Sequence, residues 1–173
     1  MTTLETTVHQ SMQTYLLSEA EKEERNQACE YVAQFIGHPD EGSEFGKKLR
    51  FLKYAFRIPR VGKQLVTLAM PMFEKRGYDA LMLRCTRGVI GLTAFQVHNE
   101  HDLHVFSVKV NPAYQNNGLA FRMQTELIEK ARTRGMRRIR LSAGGHEVLR
   151  RIYEKIDEEK QKVKKVDGYW LEL

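Results

Sequence analysis

Between Leu103 and Leu141 the chain reads as strand, glycine turn, amphipathic helix and strand, and that succession constrains the fold more than any other part of the sequence. Leu103 to Val110 is rich in β-formers and stops at Asn111-Pro112. Leu119, Met123, Leu127 and Ala131 then recur every four residues, the apolar stripe of a helix of about four turns, and Gly135 ends the run. Arg137 to Leu141 alternates basic residues with Ile139 and Leu141, as a half-buried strand does. A strand-helix-strand unit needs a crossover, so its two strands pair in parallel. The predicted class is α/β.

Upstream, the hydrophobic period changes at Asp79. Ala80 to Cys85 and Val89 to Val97 are expected strands joined by a hairpin turn at Thr86-Arg87-Gly88, and Asn99 to Asp102 leads into the third strand of a meander. The first two strands are apolar on both faces, which fits a sheet covered on both sides. Before Asp79 the pattern is helical. Ser18 and Glu21 read as a capping box for a helix ending at Ile36, with Gly37 and Pro39 beyond it. A second amphipathic segment runs from Glu44 to Phe56. A third has Val61, Leu65, Leu68 and Met72 on its apolar side, and Pro71 is expected to kink or end it. After Leu141, His146 to Ile156 is predicted helical, Lys160 to Lys165 an exposed connection, and Tyr169 to Leu173 a closing strand. The predicted order is β-β-β-α-β-α-β in a mixed central sheet, a three-layer α+β arrangement. Residues 1–78 are expected to form a helical segment packed on the same domain, and residues 79–173 the core. Whether a strand at Gln13 to Leu17 precedes the helices is left open.

The 173 residues with 42% hydrophobic content are enough for one sizeable core. No apolar run approaches the roughly 18 residues that span a bilayer. The start, Met1 to Glu5, lacks the basic and apolar stretches of a secretory signal, so a cytoplasmic location is expected. Cys29 and Cys85 show no metal-ligand spacing and read as reduced thiols. His98, His101, His104 and His146 match no ligand set, and no metal is expected. A net charge of +6 favours anionic partners. Lys47 to Lys63 holds seven basic residues and Lys130 to Arg140 six, with no acid in either.

The segment Gln115-Asn116-Asn117-Gly118-Leu119-Ala120 lies where the strand feeds the helix. A helix amino end leaves several N–H groups without intrahelical acceptors and carries partial positive charge. A phosphate satisfies both. Gly118 lets a ligand approach the backbone, and small Ala120 leaves the first turn uncluttered.

Val-x-Val-x-Pro at Val108 to Pro112, Gln-x-x-Gly-x-Ala at Gln115 to Ala120, the helix, the basic strand and a helix carrying Tyr153 together resemble the GCN5-related N-acetyltransferase (GNAT) family over residues 79–173. The resemblance implies an acetyl-CoA-dependent N-acetyltransferase. It places Val108 and Val110 along the pantetheine arm, and Gln115, Asn116, Asn117, Gly118, Leu119 and Ala120 around the pyrophosphate. Backbone amides from Phe106 to Val108 would supply the oxyanion donor, provided that this strand splays from the one at Ile139. Tyr153 falls where the family often has a tyrosine near the leaving thiolate. His104 stands where some members carry a glutamate base, and is expected to share a face with Phe106, Val108 and Val110. Glu100 and Asp102 are the other carboxylates near that position.

The family's asparagine after the penultimate strand is missing from Ala143-Gly144-Gly145-His146. The implied function is therefore transfer of an acetyl group from acetyl-CoA to a primary amine of a small molecule or protein. The alternatives are a catalytically degenerate GNAT fold that binds CoA or a protein partner, and a basic protein associated with nucleic acid. No membrane partner is expected, and a homodimer is an open option.

Overall fold

A computed structural model describes residues 12–37, 58–141, 151–152, 154–155, 163–165 and 169–172. The chain forms two compact units, one of residues 17–76 and one of residues 1–16 with 77–173.

The larger unit is built on a seven-stranded mixed sheet in the order β1-β2-β3-β4-β5-β7-β6. Its strands are β1 (Gln13–Leu16), β2 (Tyr78–Cys85), β3 (Gly88–Val97), β4 (Asp102–Val110), β5 (Arg138–Leu141), β6 (Val163–Lys165) and β7 (Tyr169–Glu172). The meander is where the sequence puts it, and β4 and β5 pair in parallel across the helix between them. The early strand exists: β1 pairs antiparallel with β2. Part of the expected Lys160 to Lys165 connection is instead β6, paired with β7. Three residues, two of them lysines, carry too weak an alternation to announce a strand. The expected helix around Tyr153 is described at residues 151–152 and 154–155, which are helical. Tyr153, Gly144, Gly145 and His146 lie outside the described residues, as does the segment Glu44 to Phe56.

In this unit the helix of residues Leu119–Thr133 packs Leu119, Met123, Leu127, Ile128 and Ala131 against Leu81, Leu83, Phe95, Leu103, Val105, Val110 and Ile139 on one face of the sheet. Gly91 makes the close approach possible, since a Cβ there would lie 3.0 Å from the Met123 sulfur and 3.2 Å from the Lys109 carbonyl oxygen. The β1 strand is tied to the same helix. Arg122 donates to the Met12 carbonyl at 3.1 Å, and the Thr14 hydroxyl donates to Glu126, which also pairs with Arg122 at 2.8 Å.

The smaller unit contains a 3-10 turn (Leu17–Glu19), α1 (Lys22–Gly37) and α2 (Pro59–Lys75), which makes the sheet-packed helix of Leu119–Thr133 α3. Ser18 does not open α1: it belongs to the 3-10 turn, and the Glu21 N–H donates to the Glu24 carboxylate at 3.4 Å. Pro71 does not end α2. The buried stripe of α2 is Gly62, Val66 and Met70, whereas Leu68, expected on the buried side, is 79% exposed, with Val61 and Met72 exposed beside it. Four-residue spacing fits either set, and small Gly62 concealed the buried one. Arg25 pairs with Glu74 at 2.9 Å within this unit. Cys29 and Cys85 are free and buried.

Candidate functional site

The site begins with a fault in β4. Ala94 of β3 stands opposite Ser107, but Phe95 stands opposite Val105, so Phe106 is an extra residue, a β-bulge. The bulge shifts the alternation of side chains. Leu103 and Val105 point to the α3 side before it, and Val108 and Val110 point to the same side after it, packed with the core. His104 lies on the opposite face, as do Ser107 and Lys109, which stand opposite Ala94 and Leu92. Phe106 reaches Tyr78 there in an edge contact with ring centroids 5.8 Å apart. The expectation that His104, Phe106, Val108 and Val110 share one face is therefore wrong. Its sequence signal was the three-residue step from Val105 to Val108, which breaks the two-residue period of a strand.

Pairing with β5 runs from Asp102 to Val105, while β4 itself continues to Val110. Among the described residues no strand pairs with that edge from Phe106 to Val110. The Asn111 N–H donates to the Ile90 carbonyl at 2.8 Å. Backbone groups alternate in direction along an antiparallel strand, so those of Lys109 and Ser107 face β3 and those of Val108 and Val110 face the unpaired edge. The Gln115 carboxamide donates to the Val110 carbonyl at 2.9 Å, closing the strand end. The Val108 N–H and C=O thus face the side of β4 on which no described strand lies beyond Val105.

Beyond the strand, Asn111 accepts from the Ala113 N–H at 3.0 Å and opens a short 3-10 turn (Pro112–Tyr114). The Gln115 N–H is spent on the Pro112 carbonyl at 3.3 Å. Asn116 follows at φ 65°, and Gly118, at φ 70° and ψ 5°, caps α3 in the left-handed region. Asparagine and glycine are the residues that tolerate this conformation. Asn117 between them has negative φ, and such alternation of hand turns successive N–H groups into a concave anion-binding nest. The first intrahelical bond runs from the Arg122 N–H to the Gly118 carbonyl at 3.0 Å. The amides of Leu119, Ala120 and Phe121 in the first turn therefore have no intrahelical acceptor. Asn116, Asn117 and Gly118 are exposed, Ala120 is half-buried, and the Leu119 side chain is in the core, so its contribution is its backbone. The Lys155 ammonium lies 5.3 Å from the centroid of the Phe121 ring, which brings a cation to the same first turn. Sequence offered no sign of that contact.

His104 is half-buried and pairs across the strands with Gln96 and Arg140. Burial, and then the charges of Arg140 and His98, push its imidazole below its ordinary pKa, which favours the neutral form. Asp102 is not placed to act as a base. It holds Arg138 through contacts of 2.7 and 3.0 Å and accepts from the Asn99 carboxamide at 2.8 Å. Burial raises its pKa, but the hydrogen bonds and charge of Arg138, with Asn99, outweigh it and leave the carboxyl below the usual range. Glu100 is exposed in the turn.

A strand that pairs in parallel with its neighbour across a helix belongs to an α/β fold, a class in which ligands bind outside the carboxyl ends of strands. Residues 84–157 match the model of the Acetyltransferase (GNAT) family. Over that stretch the chain is similar to a GNAT acetyltransferase domain. Among solved structures it is similar to the PaiA N-acetyltransferase of Thermoplasma acidophilum in complex with coenzyme A (13% identity, 94% of this chain and 99% of that one, TM-score 0.58). It is also similar to an acetyltransferase of Streptococcus agalactiae (15% identity, 95% and 99%, TM-score 0.55). A third is yncA of Salmonella typhimurium with its cofactor acetyl-CoA (16% identity, 94% of each chain, TM-score 0.56). At these identities the likeness is one of fold. No curated protein matches the sequence. Among the described residues no helix is long and apolar enough to cross a membrane.

Proposed function

We propose that the protein transfers an acetyl group from acetyl-CoA to a primary amine. The observation that carries this reading is the unpaired β4 edge at Val108 and Val110 continuing into the Asn116 to Ala120 loop on the α3 amino end. The pyrophosphate would sit on the loop amides, with Lys155 near it, and the pantetheine along the strand edge. The structural relatives solved with coenzyme A and acetyl-CoA support that choice of donor.

In the reaction the amine nitrogen attacks the thioester carbonyl, the C–N bond forms, and the C–S bond breaks. The amine loses one proton and the departing sulfur gains one. His104, held neutral, would accept the first, and the Val108 N–H would donate to the developing oxyanion. Tyr153, proposed on the family resemblance, would return a proton to the sulfur. The Gln115 side chain holds the end of β4 and so would shape the loop.

The test is calorimetric titration of acetyl-CoA into wild type and Gly118→Glu. The wild type binds, and the variant, with a carboxylate in the nest, does not. Failure of the wild type at millimolar ligand overturns the proposal.

A further inference from the structure

Arg122 and Glu126 form an ion pair one turn apart on α3, with the guanidinium Nε donating to the carboxylate at 2.8 Å. Helix stability does not account for the pair. Arg122 is in the first turn, where the dipole opposes a cation, and a base four residues ahead of an acid is the weaker order. What accounts for it is β1. The same guanidinium donates through Nη2 to the Met12 carbonyl at 3.1 Å, and Glu126 accepts from the Thr14 hydroxyl. The two side chains thus form a bracket that reaches from α3 to residues 12–14.

Arg122 also stands at a boundary in the helix. Its backbone N–H makes the first intrahelical bond, to the Gly118 carbonyl at 3.0 Å, and the amides of Leu119, Ala120 and Phe121 just before it have no intrahelical acceptor. Its backbone therefore closes the turn that would hold the pyrophosphate, while its side chain holds β1. That strand is four residues long, stands at the end of the strand order and, among the described residues, pairs with β2 alone. A strand so short at a sheet edge opens at low free energy unless other groups tie it down. On the acetyl-transfer reading above, we infer that Arg122 is a positioning residue for acetyl-CoA, coupling the docking of β1 to the geometry of the Asn116 to Ala120 loop. With β1 docked, the first turn of α3 is fixed before the ligand arrives, and binding has less ordering to drive. With ligand bound, the fixed turn holds β1 in return, because coupling between two sites is reciprocal.

The experiment combines calorimetric titration of acetyl-CoA with hydrogen exchange at residues 12–16, in wild type, Arg122→Met, Arg122→Lys and Thr14→Val. In the wild type, acetyl-CoA should slow exchange at β1. In Arg122→Met that slowing should disappear and the dissociation constant should rise about fivefold, the lower end of measured couplings between sites. Arg122→Lys keeps the charge but has one ammonium where a planar fork bridged two acceptors, so it should bind acetyl-CoA more weakly than wild type. Thr14→Val leaves Arg122 in place and removes only the hydroxyl, so it should reduce the slowing at β1 even if Arg122→Met does not fold. A wild type that binds acetyl-CoA with no change of exchange at residues 12–16 overturns the coupling and leaves the acetyl-transfer reading standing. So does undiminished slowing in Thr14→Val or Arg122→Met, or wild-type affinity in Arg122→Lys, which would assign the effect to charge alone. Failure of the wild type to bind acetyl-CoA overturns the acetyl-transfer reading itself and this inference with it.

Discussion

The carboxamide of Gln124 on α3 donates to the hydroxyl of Thr93 on β3 at 2.8 Å, and both side chains are completely buried. Thr93 stands opposite Val108, so the bond fixes the helix on the sheet beside the unpaired part of β4. Replacing Gln124 by Met would leave a buried hydroxyl without its donor. The expected loss is about 1–3 kcal/mol of unfolding free energy in urea. Thr93→Val combined with Gln124→Met should recover much of it, since both polar groups are then gone. A double variant as unstable as the sum of the singles would show that the pair is not coupled.

Gly118 has open space where a Cβ would be, but its φ of 70° is strained for any other side chain. Gly118→Ala should therefore weaken acetyl-CoA binding through the backbone, with no clash. A loss of about 1–2 kcal/mol, shared between stability and affinity, follows from the left-handed conformation. Calorimetry and thermal unfolding of the same variant separate the two shares.

Asp102 links acid stability to the β4–β5 pairing. Its folded pKa is below the ordinary value of about 3.9, so its contribution is fully present above that value and is lost as pH falls through the depressed one. Denaturation of wild type on acidification from about pH 5 should show this loss. Asp102→Asn should be less stable at neutral pH and show a smaller fall on acidification.

For His104 the sign is opposite. Burial, Arg140 and His98 lower its pKa, so the imidazole stays neutral as pH drops to and below its ordinary value of about 6.5. If it is the base, the acid limb of kcat/KM lies below that value. Arg140→Gln should move the limb upward, and His104→Asn should remove it. A limb unchanged in His104→Asn assigns the proton to another group.

Lys155 brings its charge to the first turn of α3. Lys155→Ala should raise the dissociation constant for acetyl-CoA about threefold to tenfold, as one partly screened cation does. The effect should shrink in high salt, and acceptor KM should stay unchanged.

Much of the site-bearing frame was legible because long period-two strands, a glycine turn and a helix with a four-residue stripe agree with one another. The hairpin at Arg87 and the start of α3 at Leu119 fell where the pattern put them. Legibility failed where an element is short or its pattern ambiguous. The four residues of β1 and three of β6 have too few alternations to stand out, and their pairing is set by neighbours. In α2, Gly62 hid the buried stripe, and helix context carried the chain through Pro71. The contact of Gln115 was not legible at all, because it depends on how the chain brings its side chain back to Val110.

The bulge at Phe106 works as a phase shifter between two surfaces. Substitutions at that position alter one aromatic contact, whereas deleting it would turn every side chain from Ser107 to Val110 over, driving Lys109 toward Met123 and expelling both valines from the core. The stretch should thus accept changes of letter and reject changes of length. Variation in this part of the protein is confined by counting, more than by chemistry.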